Sequence, residues 1–334
     1  MRHARSFLPL TVILMAQASP EPQNVPFRLE YLEGLKAETQ PQPKSPPEPQ
    51  LVPQSADQAA APTAQAQPGD DPAAIEEASG GRLGIALVDD KGALLLGFNR
   101  EERFAMCSTF KAPLAAAVLM GAEQNHFGME GTLPIRPADI LDYAPVVKAN
   151  QAKGRMAIAE LAKAAVQVSD NSAANLLLSL IGGPQALTAF VRKHGDDVTR
   201  LDRTEPTLNE NVQGDERDTT SPVAMATLMA RLLFQDLPAP AAGQLRGWLE
   251  GSTTGAKRIR AGLPSGWKVG DKTGSCGTAF NDVAVLRSPT GHDYVLAIYL
   301  DRPTVSDAKA EATIAGATRA VMDMLVRIDR RKGG

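Results

Sequence analysis

Histidine is scarce in this 334-residue chain: His3, His126, His194 and His292 are the full set, and none lies near another. A zinc site built on histidine therefore lacks ligands at workable spacing. No metal and no cofactor is expected. Cysteine is scarcer still, with Cys107 and Cys276 alone, enough for one bridge but not for a disulfide scaffold. An excess of one charge is also missing, since 35 Lys and Arg face 38 Asp and Glu for a net charge of -3, with no basic block. That balance argues against binding to nucleic acid or acidic lipid, both of which need concentrated positive charge. Nor does any apolar run reach the roughly twenty residues of a membrane span. Hydrophobic residues at 43% and charged residues at 22% do suffice for a soluble core of one large or two intimate domains.

Arg2 and Arg5 precede an apolar stretch from Phe7 to Ala16, which exits through Ala16-Gln17-Ala18. These are the parts of a secretory signal peptide, residues 1–18, cleaved after Ala18, which predicts a periplasmic or secreted protein. Residues 19–70 turn to Pro, Gln and Ala, as in Pro41-Gln42-Pro43. Such a segment has too little apolar content to offset its ordering entropy and reads as a disordered linker.

Asp71-Pro72 opens a short helical pattern that stops at Gly80-Gly81. Leu83–Val88 and Ala93–Phe98 read as strands joined by the hairpin signal Asp89-Asp90-Lys91-Gly92. From Phe110 to about Phe234 the pattern is helical. Strand character returns at Trp267–Thr273, Phe280–Arg287 and Tyr294–Leu300, before a closing helix from about Ser306 to Arg327. The expected fold is α+β: a five-stranded antiparallel sheet formed by both chain ends, residues 71–105 and 254–334, with an all-helical insertion, residues 106–253. A ligand site is expected in the cleft between them. Nothing demands more than a monomer.

A nucleophilic serine needs a nearby base, and Ser-x-x-Lys opening a helix supplies one on the same face. Three copies occur: Ser108 with Lys111, Ser265 with Lys268, and Ser306 with Lys309. Only Ser108 leads into a long apolar helical run; Ser265 reads as a turn entering a strand, and Ser306 as an N-cap. Ser169-Asp170-Asn171 stands ahead of another helical run, where a helix cap is the plain alternative. Lys272-Thr273-Gly274, with Ser275 next, ends a predicted strand, where a glycine turn is the plain alternative.

Together, Ser108-Thr109-Phe110-Lys111, Ser169-Asp170-Asn171 and Lys272-Thr273-Gly274 resemble the three signature elements of serine beta-lactamases and penicillin-binding proteins. A fourth stretch, Arg203-Thr204-Glu205-Pro206-Thr207-Leu208-Asn209, separates the two branches. Pro206 is expected to start a short helical turn capped by Glu205, with Glu205 and Asn209 sharing a face and one water between them. Residues 203–218 resemble the omega loop of class A beta-lactamases, closed by an Arg203–Asp218 ion pair. The resemblance implies a cis Glu205–Pro206 bond and a deacylating role for Glu205 and Asn209; penicillin-binding proteins lack that glutamate.

The resemblance further implies hydrolysis of small-molecule beta-lactams through an acyl-enzyme on Ser108, whose proton passes to Lys111 or, through water, to Glu205. Backbone N–H groups of Ser108 and Ser275 would form the oxyanion hole. Ser169 and Lys272 would protonate the leaving nitrogen, and Asn171 would bind the substrate side-chain amide. Lys272, Thr273 and Ser275 would bind the substrate carboxylate, and Tyr143 would wall the cleft. Many members carry an arginine on the strand after Lys-Thr-Gly; here that stretch reads Phe280-Asn281-Asp282-Val283. Arg258 resembles the alternative arginine of other members, a solvated charge being the plain alternative. Cys107 and Cys276 flank the site, and such a pair resembles that of class A carbapenemases, which implies a disulfide and carbapenem turnover. The rivals are a cell-wall transpeptidase or carboxypeptidase, disfavoured by Glu205 and Asn209, and an antibiotic sensor, for which no membrane span is visible.

Overall fold

The computed structural model describes residues 71–332; the expected signal peptide and linker lie outside the described residues. The described residues open with helix α1 (Pro72–Ser79), started by Asp71, whose carboxylate accepts from Ala73 N, and ended by Gly80 at φ 65°. That left-handed C-terminal position suits glycine, which has no Cβ to clash. Strands β1 (Arg82–Asp89) and β2 (Leu94–Phe98) follow as a hairpin. Its turn is built by Asp89, which accepts from the amides of Lys91 and Ala93.

Strands β7 (Lys268–Ser275), β8 (Ala279–Arg287) and β9 (Asp293–Asp301) complete the sheet in the order β2-β1-β9-β8-β7, antiparallel throughout. Alternation along each strand divides the interior in two. Leu83, Ile85 and Leu87 of β1 join Leu296, Ile298 and Leu300 of β9 and Ile314 and Val321 of the closing helix. Ala86, Val88, Val283, Val285, Val295 and Tyr299 face the other way, into the core shared with the helices. Burial on both faces explains why these strands read as nearly continuous apolar runs.

Between the two halves of the sheet lie β3 (Phe104–Ala105), α2 (Lys111–Glu123), β4 (Thr132–Pro134), α3 (Pro145–Ala149), β5 (Arg155–Ala157) and α4 (Ile158–Gln167). They are followed by α5 (Asn171–Ile181), α6 (Pro184–Lys193), β6 (Thr219–Thr220), α7 (Pro222–Arg231), α8 (Ala239–Glu250) and α9 (Ile259–Gly262), and α10 (Asp307–Lys332) closes the chain. Helix α2 is buried from Lys111 through Leu119, as a helix apolar on every side must be. Pro113 falls in its first turn, where the missing N–H has no helical partner to lose. The sequence predicts helix throughout this region, yet it also holds the short ladders β3–β6 and β4–β5. Segments of two or three residues are too short to show a period of two. Among the described residues, no single helix is long and apolar enough to cross a membrane.

Candidate active site

Ser108 lies half-buried in a 3-10 turn, Cys107–Phe110, that leads straight into α2. The turn is fixed from several sides. Cys107, at φ 46°, is bonded to Cys276 with the two Cα atoms 5.6 Å apart. Asn281 Nδ2 of β8 donates to the carbonyls of Ala105 (2.9 Å) and Met106 (3.2 Å). The Thr109 hydroxyl donates to Met106 O at 2.9 Å. Gly274 of β7 comes so close that a Cβ there would stand 2.6 Å from Met106 O and 3.2 Å from Ser108 N. Glycine is therefore required by a close approach of two backbones.

Lys111, the first residue of α2, has no exposed surface, and its ammonium collects four acceptors. These are Ser169 O at 2.9 Å, Ser169 Oγ at 3.4 Å, Asn171 Oδ1 at 2.5 Å and Glu205 Oε1 at 3.0 Å. Burial pushes this ammonium below the usual lysine range, with the Glu205 carboxylate opposing the shift. A buried charge needs such a partner. The other two Ser-x-x-Lys pairs make no comparable cluster: Ser265, Lys268, Ser306 and Lys309 are all exposed.

Ser169 sits at φ 59°, a left-handed corner that separates it from the helix after it. Asp170 caps α5 by accepting from Ala173 N, and its second oxygen accepts from Val146 and Val147 N at the start of α3. Cap and site thus coexist: Asp170 holds the corner while Ser169 and Asn171 face the lysines. The Asn171 backbone N–H donates to the carbonyl of Tyr143, a residue that is 52% exposed and whose hydroxyl donates to Val168 O.

The expected cap at Pro206 is not formed. The 3-10 turn spans Thr207–Asn209, and Pro206 precedes it with no side-chain cap. Glu205 instead turns its carboxylate inward to Lys111 because an ammonium buried without a counter-charge costs far more than a missing cap. Asn209 Nδ2 donates to Glu205 Oε2 at 2.5 Å. The Glu205–Pro206 bond is cis. Asn175 was not legible as a site residue, yet its side chain accepts from Glu205 N (3.0 Å) and donates to Glu205 O (2.9 Å). The signal was its place four residues after Asn171, on the same helical face. At the loop base Arg203 Nε meets Asp218 Oδ2 at 2.5 Å, and Asp218 Oδ1 accepts from the amides of Asp202 and Arg203.

Lys272 is buried on β7 and donates to Ser169 Oγ at 3.0 Å and to Thr273 O at 2.7 Å. Burial first, and the nearby Lys111 charge second, push it well below the usual lysine range. Thr273 shares a 2.6 Å hydroxyl contact with Thr254. Arg258 is 5% exposed, which rules out a solvated charge. Its guanidinium donates to the carbonyls of Gly274 (3.1 Å) and Asn281 (2.8 Å) and to Ser275 Oγ (2.7 Å). Opposite Thr273 on β8, Asp282 is fully buried, and burial with the neighbouring Asp271 charge pushes its carboxyl up to about 8. Among the described residues, no group of three His, Cys, Asp or Glu side chains is placed to hold a metal ion.

Residues 70–325 match a model of the Beta-lactamase enzyme family. Beta-lactamase CTX-M-8 of Citrobacter amalonaticus is 44% identical over 254 residues, covering 75% of this chain and 87% of that protein. Beta-lactamase OXY-2 of Klebsiella oxytoca is 43% identical over 254 residues, with the same coverage. Among solved structures, the last common ancestor of Gram-negative bacteria class A beta-lactamase aligns with a TM-score of 0.74 at 47% identity, covering 76% of this chain and 97% of that one. The L2 complex with relebactam aligns with a TM-score of 0.74 at 42% identity, covering 77% and 99%.

Proposed function

This chain belongs to the class A serine beta-lactamase family and hydrolyses beta-lactams, and on that premise we propose how its own residues divide the work. The observation that carries the assignment is the buried array in which Lys111 Nζ touches Ser169, Asn171 and Glu205 at once. Ser108 Oγ attacks the lactam carbonyl while its proton passes to the Lys111–Glu205 pair. An ammonium pushed down by burial gives up its proton more readily than an ordinary lysine. The developing oxyanion is met by the backbone N–H groups of Ser108 and Ser275, one such donor being worth roughly 10²–10³ in rate.

Cleavage of the C–N bond leaves a ring nitrogen that takes a proton from Ser169, replaced by the proton that Lys111 took from Ser108, while Lys272 donates to the same hydroxyl and keeps its charge. The substrate carboxylate is held by Lys272, Thr273 and Ser275; Arg258 acts on it through Ser275 Oγ. Asn171 binds the side-chain amide and Tyr143 lines the approach. Water held between Glu205 and Asn209 then attacks the acyl ester, Glu205 taking its proton, and as the acyl–Oγ bond breaks that proton returns through Lys111 to Ser108 Oγ. Substituting Glu205 by Ala removes the base of this last step, while Lys111 remains to accept the Ser108 proton during acylation. Intact mass should show Glu205→Ala protein trapped as the acyl-enzyme, whereas Ser108→Ala should neither acylate nor turn over nitrocefin; rapid turnover by either variant refutes the scheme.

Carbapenems belong among the substrates in this reading, supported by the Cys107–Cys276 bridge beside the nucleophile. Loss of imipenem absorbance on addition of the enzyme checks it, and an acyl-enzyme that persists for hours would refute it. The reading further includes a monomer acting in the periplasm or outside the cell, as the Arg2–Ala18 pattern implies.

A further inference from the structure

Two residues beyond the catalytic pair, the loop carrying Glu205 and Asn209 makes a second attachment. Asn211 Nδ2 donates to Thr278 Oγ1 at 3.0 Å and to Asp301 Oδ1 at 2.8 Å. Its carbonyl accepts from Arg302 Nη2 at 2.6 Å. The receiving side is well anchored: Asp301 is 2% exposed and also holds Arg82 and Arg302, while Arg302 N donates to Thr278 O at 2.7 Å. A cavity of about 670 Å³ is lined by Asn211, Val212 and Asp215 of the loop together with Arg82, Arg103 and Ala105. Packing therefore does not hold this part of the loop, and polar contacts set its position.

Thr278 belongs to the same β7–β8 turn as Cys276, which is tied to the nucleophile turn, and follows Ser275 by three residues. We propose that Asn211 is a positioning residue for acyl-enzyme release, bolting the Glu205–Asn209 loop to the hairpin that holds the oxyanion donor. The water-bearing loop and the acyl carbonyl are thereby referred to one rigid piece. This inference rests on the deacylation role given to Glu205 and Asn209 above. An asparagine suits the place because its backbone adopts φ 41°, a region that asparagine tolerates better than most residues.

Asn211→Gly keeps the backbone free to hold that φ and removes only the bolt. Asn211→Asp keeps the shape but turns an acceptor toward Asp301. Rapid-quench intact mass separates the formation of the acyl-enzyme from its decay. Both variants should decay about tenfold more slowly, the effect of one hydrogen bond lost in the transition state, while acylation stays within twofold. Thr278→Val, altered from the opposite side, should slow decay in the same direction and carries the test should the loop variants not fold. Rates are expressed per acylatable serine, so a smaller folded fraction moves neither. Decay within threefold of the unmodified enzyme in all three variants overturns the inference. The Glu205→Ala control distinguishes the two claims: if it traps the acyl-enzyme and the Asn211 variants do not slow decay, only the bolt fails.

Discussion

Gly274→Ala offers the sharpest probe of the oxyanion geometry. Its new Cβ would lie 2.6 Å from Met106 O, and ordinary contact begins at 3.4 Å, so one backbone must retreat by about 0.8 Å. The carbonyl cannot readily give way, being held by Asn281 Nδ2 at 3.2 Å, Thr109 N at 3.1 Å and Thr109 Oγ1 at 2.9 Å. Strand β7 must therefore move and carry the Ser275 amide away from Ser108, against the Cys107–Cys276 bridge that ties the same two segments. A misplacement near 1 Å costs on the order of 10²-fold, and loss of one oxyanion donor costs roughly 10²–10³. Both routes place the acylation rate two to three orders down. Stopped-flow nitrocefin acylation on folded protein measures it, with Gly128→Ala as control because nothing stands within 4 Å of that Cβ. A folded Gly274→Ala enzyme acylating within tenfold of the parent would refute this reasoning.

The disulfide closes a 169-residue separation, so its removal by Cys276→Ala should cost roughly 2–5 kcal/mol, about 5–15 °C in thermal midpoint. Reductant should lower the parent's midpoint by a similar amount and leave the variant unmoved; equal midpoints for both proteins would disprove it. Asp282 gives a pH dependence of definite sign. Its folded pKa, pushed up to about 8, exceeds the unfolded value of about 3.9, so the native state binds the extra proton. Its contribution is fully present below about pH 4 and is lost as pH rises toward 8. Asp282→Asn, which mimics the protonated acid, should flatten that decline in thermal midpoint; an unchanged slope would count against it.

The sheet was legible because β1, β8 and β9 are covered on both faces, and such strands must be written almost wholly in apolar residues. Ser108, Lys111, Ser169 and Lys272 were legible as candidates only through three short motifs taken together and in order, each of which alone has a plain structural alternative. What escaped is of another kind. Asn175, Asn281, Thr254 and Asn211 are neutral side chains whose partners lie far along the chain, such as Glu205, Met106, Thr273 and Asp301. A neutral amide carries no charge pattern, and its meaning exists only once two remote backbones meet. The failed cap at Glu205 has the same origin. Local propensity assigned it to the turn, and the buried ammonium of Lys111, 94 positions earlier, took it instead.

Two ammonium groups within reach of one hydroxyl bring the last prediction. Lys111 and Lys272 both donate to Ser169 Oγ, at 3.4 and 3.0 Å, and both are fully buried. Lys272 is pushed well below the ordinary lysine range, so its positive charge, needed to attract the substrate carboxylate, is lost as pH rises through that lowered value. The basic limb of kcat/KM, which reports the free enzyme, should therefore fall well below pH 10.5. Bound carboxylate favours the ammonium and raises its pKa, so the limb of kcat should lie at higher pH than that of kcat/KM. Lys272→Arg keeps a charge that does not titrate; the basic limb should move upward even where overall activity drops. A limb at the same pH in Lys272→Arg and the parent would refute its assignment to Lys272 and give it to another group, Lys111 being the other lowered ammonium at this hydroxyl.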